Sequence, residues 1–367
     1  VKRSLIVDTH ASSCYFRTTV KGDQRKALIQ ITERCNLHCA HCFVSSRAWG
    51  QDMRLEDLTR TVFPRLLRAR VRRITLTGGE PFVHPDILEI CRVLADLGLP
   101  VGICTNATQT SGEQIAYLAR LGNVHINVSF DGFRRESHGR FRGDAACFAT
   151  TLATTRAFAQ AGLLQGLLST PNALTDVEEF AELCAFAVEV SAEYVLMNPL
   201  SPFGRGVKSQ NRLAADADTM RAIHAVTERF RDQGIEVVHI RFPNDTKPLG
   251  GCDAGKLIYV FADGLTAVCP YLVFAARTPQ SRYSDRDFLV GNILHSEVAD
   301  ALDGYDVANT LGMGANPTCR GCPMGSICGK GCPAAVIAQG QRIGDVDAAQ
   351  CPRTERPLLR ITTRPPT

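Results

Sequence analysis

Three cysteines fall within eight residues, Cys35, Cys39 and Cys42, in the run Arg34-Cys35-Asn36-Leu37-His38-Cys39-Ala40-His41-Cys42. The spacing is Cys-x3-Cys-x2-Cys, directly after a short apolar run that reads as a strand. A cubane iron–sulfur cluster takes four ligands, usually thiolates. This loop offers three, so one iron would stay open. An open iron beyond the end of a strand is a place where a small molecule can bind and react.

A second group lies near the other end of the chain: Cys252, Cys269, Cys319, Cys322, Cys328, Cys332 and Cys351. From Cys319 to Cys332 the order is Cys-x2-Cys-x5-Cys-x3-Cys. Little apolar sequence surrounds these thiols, so metal binding would supply folding energy there. A structural zinc ribbon is one reading. One zinc would take four cysteines and strand three. Two iron–sulfur clusters would use all seven and leave one position open or filled by another ligand.

The whole chain suits metal ligation better than disulfides. It has 367 residues, 15 of them cysteine, with 45% hydrophobic and 21% charged residues. Secreted disulfide scaffolds are usually far shorter. Clustered thiols point to a reducing, cytoplasmic setting. A net charge of +4 gives no reason to invoke nucleic acid. No apolar run is long enough to span a bilayer, and no charged-then-apolar leader opens the chain, so no membrane partner is expected. The chain starts with Val1 rather than Met, consistent with residues missing or processed ahead of it.

The elements that must position these thiols alternate. Strands are expected at 27–32, 71–77, 100–104, 124–130, 163–169 and 194–197, from short β-branched runs. Helices are expected at 55–70, 85–97, 111–121, 148–161 and 175–190, from apolar residues three and four apart. Such alternation implies an α/β fold with a parallel sheet and right-handed crossovers. Six units are too few for a closed eight-unit barrel, so a partial (β/α)6 barrel is expected, with chemistry at the C-terminal strand ends. One more helix reads over 214–234 and one more strand over 235–240. A hairpin reads over 257–268, turning at Asp263-Gly264. Periodicity fades after about residue 240. The division expected is therefore a short extension at 1–26, a partial barrel at 27–240 and a small Cys-rich domain with tail at 241–367.

These residues resemble the radical S-adenosylmethionine (SAM) superfamily in its SPASM subgroup. The Cys35/Cys39/Cys42 triad is similar to its cluster loop. The order Cys252…Gly264-x4-Cys269…Cys319-x2-Cys322-x5-Cys328-x3-Cys332…Cys351 is similar to the seven-cysteine SPASM signature. Gly78-Gly79-Glu80-Pro81 resembles the segment that holds the SAM amino group; the glycines would let backbone approach a ligand and Glu80 would pair with an ammonium. Thr105-Asn106 and Ser129-Phe130-Asp131-Gly132 fall where relatives contact the SAM ribose and carboxylate; strand-end caps or turns are the plainer role. The family usually has an aromatic residue where this chain has His41, which would stack on adenine. A Cys3His zinc site through His41 or His38 is the rival.

The resemblance implies the following chemistry. SAM chelates the open iron of a [4Fe-4S] cluster through its amino and carboxylate groups. The reduced cluster breaks a carbon–sulfur bond, and a 5′-deoxyadenosyl radical takes a hydrogen atom from substrate. A flavodoxin or ferredoxin would supply the electron. Two auxiliary clusters, expected to be [4Fe-4S], would accept an electron or bind substrate. Cys319, Cys322, Cys328 and Cys351 would hold the outer one. Cys252, Cys269 and Cys332 would hold the inner one, which would have only three thiolates because 253–268 contains no cysteine.

Of the remaining cysteines, Cys91 and Cys184 read as helix core, Cys104 ends a strand and would either pack or face the cavity as a hydrogen donor, and Cys14 and Cys147 have no role read for them. Asp131, Asp253, His84 and Tyr271 are candidate bases. Arg205, in a Gly-rich turn, is a candidate SAM or substrate contact. The expected activity is oxidation or cross-linking of a ribosomally made peptide. The 26 residues before the barrel are too few for the leader-recognition domain that many such enzymes carry, so a separate recognition protein would serve. Dehydrogenation or epimerisation of a sugar or aminocyclitol is the alternative. Sulfatase maturation is disfavoured because Pro270 follows Cys269 where an acidic residue is expected. An electron carrier that leaves SAM intact is the non-enzymatic reading.

Overall fold

The computed structural model describes residues 9–11 and 20–353. Cys14, most of the expected extension and the end of the tail lie outside the described residues.

Seven parallel strands run in sequence order: β1 (Arg25–Thr32), β2 (Val71–Gly78), β3 (Val101–Thr105), β4 (Val124–Ser129), β5 (Leu164–Ser169), β6 (Tyr194–Met197) and β7 (Glu236–His239). The seventh, beyond the six of the expected barrel, pairs with β6 through Tyr194↔Glu236 to Met197↔His239. On the other side of β1 lies β8 (Leu257–Val260), also parallel, followed by antiparallel β9 (Leu265–Ala267) and β10 (Leu289–Asn292). The hairpin turns at Asp263-Gly264, with Gly264 at φ +84°. A β-carbon there would sit 2.5 Å from Asn292 Oδ1, so only glycine fits. The chain beyond residue 240 thus extends the sheet of the barrel.

Side chains alternate across the strands. Ile29, Leu76, Ile103, Val128, Leu167 and Val195 are buried against the helical layer. Leu28, Thr77, Cys104, Ser129, Leu168, Leu196 and Tyr259 face a cavity on the inner side. The apolar periodicity yields helices such as Ile87–Asp96, Gly112–Leu121, Cys147–Gln160 and Val177–Glu189. Ser111 caps the second of these, its Oγ accepting from Gln114 N–H. The expected helix at 214–234 is divided. Asp216 caps a helix at Ala217–Glu228, which ends in a 3-10 turn at Arg229–Gln233; a separate helix, Gly206–Leu213, comes before. Among the described residues no helix is long and apolar enough to cross a membrane.

Candidate active site

The Cys35–Cys42 loop leaves β1 and is clamped from three directions. Gly79 N–H donates to Thr32 O at 2.9 Å and Glu80 N–H donates to Arg34 O at 2.9 Å. A β-carbon on Gly79 would lie 1.9 Å from Arg34 O, and one on Gly78 would lie 2.3 Å from Thr32 O. The two glycines are therefore explained by contact between the end of β2 and the cysteine loop. Arg205 holds the far side. Its Nε donates to Cys39 O at 2.7 Å, its guanidinium donates to Ser46 O at 2.6 Å, and its backbone N–H donates to Cys42 O at 3.0 Å. The third clamp is the helix Arg135–Arg142, whose Arg142 and Phe141 carbonyls accept from His38 and Ala40 N–H.

That helix was not legible. Its sequence has no apolar period and contains Gly139, yet Ser137, His138, Gly139, Phe141 and Arg142 are buried. It delivers Arg142 to the site. The guanidinium lies 2.7 Å from Asp131 Oδ2, an ion-pair contact without hydrogen-bond alignment. Its NH1 reaches to 3.8 Å from Cys39 Sγ. Burial raises the Asp131 carboxyl, but Arg142, His41 and His138 outweigh it and hold the group below its ordinary range. Burial pushes the Cys35 thiol up to about 12 and Cys39 to about 11, so cluster binding would release protons there.

Glu80 is buried and internally paired. It accepts from Thr105 Oγ1 at 2.6 Å, Asn106 N–H at 2.7 Å and Phe82 N–H at 3.1 Å, tying β2 to β3. Burial raises its carboxyl despite these bonds. Pro81 is buried in the 3-10 turn that follows. Asn106 Nδ2 donates to Asn36 Oδ1 at 3.0 Å, joining β3 to the cysteine loop. His41 stacks on Phe141 with ring centroids 4.8 Å apart, and burial drives its imidazole down to about 4.

Cys35, Cys39, Cys42, His41, Gly78, Gly79, Glu80, Asn106, Ser129, Asp131, Arg142 and Arg205 share one cavity of about 270 Å³. Cys104, Tyr259 and Tyr271 also line it. Three other candidates stand apart. His84 is buried against Met53 O at 2.9 Å and accepts from Asp86 N–H, a structural role in place of a base. His38 is exposed, and Asp253 does not line the cavity. Cys91 and Cys184 are core, and Cys147 is buried beside Cys39. Sequence reasoning missed Arg142, Ser169 and Tyr259. A strand-end serine was the only signal for Ser169; nothing marked the others.

Five lining residues carry buried polar atoms without a hydrogen bond: His41 Nδ1, Ser46 Oγ, Asp131 Oδ2, Arg142 Nε and Ser169 Oγ. A buried polar atom left without any partner costs about 1–3 kcal/mol; Asp131 Oδ2 is offset by its ion pair with Arg142. A polar ligand with both charge signs would satisfy them.

The second cysteine group forms two sets. Cys319, Cys322, Cys328 and Cys351 line one small pocket. Cys252, Cys269 and Cys332 interact with one another electrostatically, and all three are pushed up by burial. The segments carrying them are laced together. Gly329 N–H donates to Leu249 O at 2.7 Å and Gly331 N–H to Gly250 O at 3.1 Å. Arg241 binds Asp347 through both nitrogens, at 2.6 and 3.0 Å. Among the described residues no three of these sulfurs converge within 4.8 Å. A tetrahedral zinc, with bonds of about 2.3 Å, needs closer convergence; thiolates on a cubane bind different irons.

The profile of the Radical SAM superfamily matches residues 29–187. Over those residues the chain is similar to that superfamily. An AdoMet-dependent heme synthase of Methanosarcina barkeri is 30% identical over 209 residues, covering 57% of this chain and 59% of that one. The antilisterial bacteriocin subtilosin biosynthesis protein AlbA of Bacillus subtilis is 26% identical over 273 residues, 73% of this chain and 57% of that one. The chain thus spans under two thirds of the length of these curated relatives. The crystal structure of Streptococcus suis SuiB bound to precursor peptide SuiA superposes with TM-score 0.69 at 17% identity, over 90% of this chain and 77% of that one. That likeness is one of fold.

Proposed function

We propose that this chain is a radical SAM oxidoreductase that modifies a ribosomally made peptide by hydrogen-atom abstraction. The observation that carries it is the shared cavity, where three loop thiols stand beside polar atoms of His41, Ser46, Asp131, Arg142 and Ser169 that make no hydrogen bond. Cys35, Cys39 and Cys42 would hold a [4Fe-4S] cluster; the donor set fits, with three soft thiolates and one ligand short. Arg142 is charged and aimed into the cavity, so it would bind the SAM carboxylate. Glu80 keeps lone pairs beyond its internal bonds and would accept from the SAM ammonium. Asn106, Ser129 and Asp131 would sit around the ribose, and His41 has the second face of its ring for adenine. Bound there, the cluster and SAM would supply radical chemistry for hydrogen-atom abstraction. The apolar walls, Leu28, Leu168, Leu196 and Phe274, exclude water from it.

Substrate would arrive through a larger groove of about 430 Å³. It is lined by Leu200, Phe203, Ala215, Met220 and Ala335, and it meets the cluster cavity at Asn198 and Tyr271. Cys332 lies on its wall, so an inner auxiliary cluster on Cys252, Cys269 and Cys332 would border the substrate path. The outer cluster would lie on Cys319, Cys322, Cys328 and Cys351. A division into barrel (27–240) and auxiliary region (241–367), an electron-donor protein and a separate peptide-recognition protein belong to the same reading. The peptide is favoured by the bacteriocin-biosynthesis relative. A small-molecule substrate is the second reading, favoured by the relative named for heme synthesis.

The test is anaerobic turnover with SAM and reductant, using deuterated precursor peptides from neighbouring genes. Deuterium in 5′-deoxyadenosine is the expected result. Transfer from a small molecule alone would favour the second reading.

A further inference from the structure

Away from the cluster cavity, the edge strand β7 and the helix Ala217–Glu228 bring together His224, Glu228 and His239. His224 and Glu228 are one helical turn apart, so both project from the same face. His239 closes β7. The three ligand atoms lie within 4.8 Å of one another. His224 Nε2 is 3.5 Å from Glu228 Oε2, and His239 Nδ1 is 3.8 Å from the same oxygen. A tetrahedral zinc ion with bonds of about 2.1 Å sets its ligands about 3.4 Å apart.

The tautomer of His239 is fixed by its neighbour. Thr227 Oγ1 donates its single proton to Ile223 O at 2.7 Å, so it must accept from His239 Nε2–H, 2.9 Å away. Nδ1 is then left with a bare lone pair. That atom is buried without a hydrogen bond, and so is Glu228 Oε2. The side chain of His239 is only 5% exposed. Two lone pairs facing each other with no donor between them repel, and a cation between them removes the repulsion. Arg231 occupies the other carboxylate oxygen at 3.0 Å, and Thr227 orients the imidazole. These are the outer-layer contacts typical of metal ligands. His224 is half-exposed, which provides an entry path and leaves a fourth position for water.

We propose that His224, Glu228 and His239 bind one divalent transition ion of zinc type, separate from the iron–sulfur sites. The ion staples the edge strand of the sheet to a helix whose first turns, through Ala217 and Met220, line the large groove.

The test uses anaerobically reconstituted protein with its iron loaded, desalted into metal-free buffer and titrated with Zn²⁺ against a chromophoric chelator. We expect one zinc per chain, with X-ray absorption showing nitrogen and oxygen ligands only. His239→Ala abolishes this binding. His224→Ala alters a half-exposed side chain, so the protein folds and keeps its iron. It weakens zinc by at least the roughly tenfold that loss of an outer-layer partner costs. Sulfur in the zinc shell, or wild-type protein that binds zinc no more tightly than His224→Ala, overturns the proposal.

Discussion

Arg142 bridges Asp131 and the cysteine loop: one guanidinium nitrogen lies 2.7 Å from Asp131 Oδ2, the other 3.8 Å from Cys39 Sγ. Both members of the ion pair are buried. The pair links the end of β4 to the loop after β1, across the floor of the cavity.

Removing one partner leaves a buried charge uncompensated. Asp131→Asn should therefore lower unfolding free energy by about 3–5 kcal/mol. The native carboxyl is depressed, so its contribution is full above the unfolded value near pH 4 and is lost as pH falls through the lower native value. Denaturant titrations at stepped pH check this. The stability difference between wild type and Asp131→Asn should be constant from pH 5 to 8 and shrink only in acid.

Gly79→Ala places a β-carbon where Arg34 O now sits, 1.9 Å away. The ends of β1 and β2 must separate, and the cysteine loop with them. After anaerobic reconstitution we expect about four irons fewer per chain, with the auxiliary irons retained. Iron assay with Mössbauer spectroscopy reads the difference.

The sets Cys319/Cys322/Cys328/Cys351 and Cys252/Cys269/Cys332 should load independently of the first loop. Cys322→Ala should remove one cluster and leave SAM cleavage measurable. A four-thiolate inner cluster would contradict the three-cysteine set.

Ala215→Trp should fill the groove without touching the cluster cavity. We expect kcat/KM for the substrate to fall by more than about tenfold, the cost of roughly 1.4 kcal/mol of binding. Substrate-free formation of 5′-deoxyadenosine should stay unchanged. Equal loss of both would place the substrate elsewhere.

Much of this was visible in the residues. Cysteine spacing depends only on chain order, so both thiol groups could be read directly. The strands and most helices carry period-two or period-3.6 apolar patterns, as in 124–129 and 177–189. Three things were not legible. The helix Arg135–Arg142 hides because its buried residues are mostly polar and are held by tertiary contacts, Ser137 to Glu179, His138 to Asp131 N–H and Arg142 to the Asp131 carboxylate. The placement of β8 beside β1 joins Lys26 to Leu257, far apart in sequence, and no local pattern encodes that. The roles of Gly79, Glu80 and Arg205 also escaped. The family resemblance implied a ligand contact for Gly79 and Glu80, and Arg205 stood as a candidate contact; in the structure all three brace the loop and strand ends.

The most direct measurement is electron paramagnetic resonance on dithionite-reduced, reconstituted protein, with and without SAM, followed by chromatography of the nucleoside products. We expect the signal of one cluster to change when SAM is added and 5′-deoxyadenosine to form, both abolished in Cys35→Ala/Cys39→Ala/Cys42→Ala. An unchanged signal with SAM recovered intact would contradict an open iron at this loop.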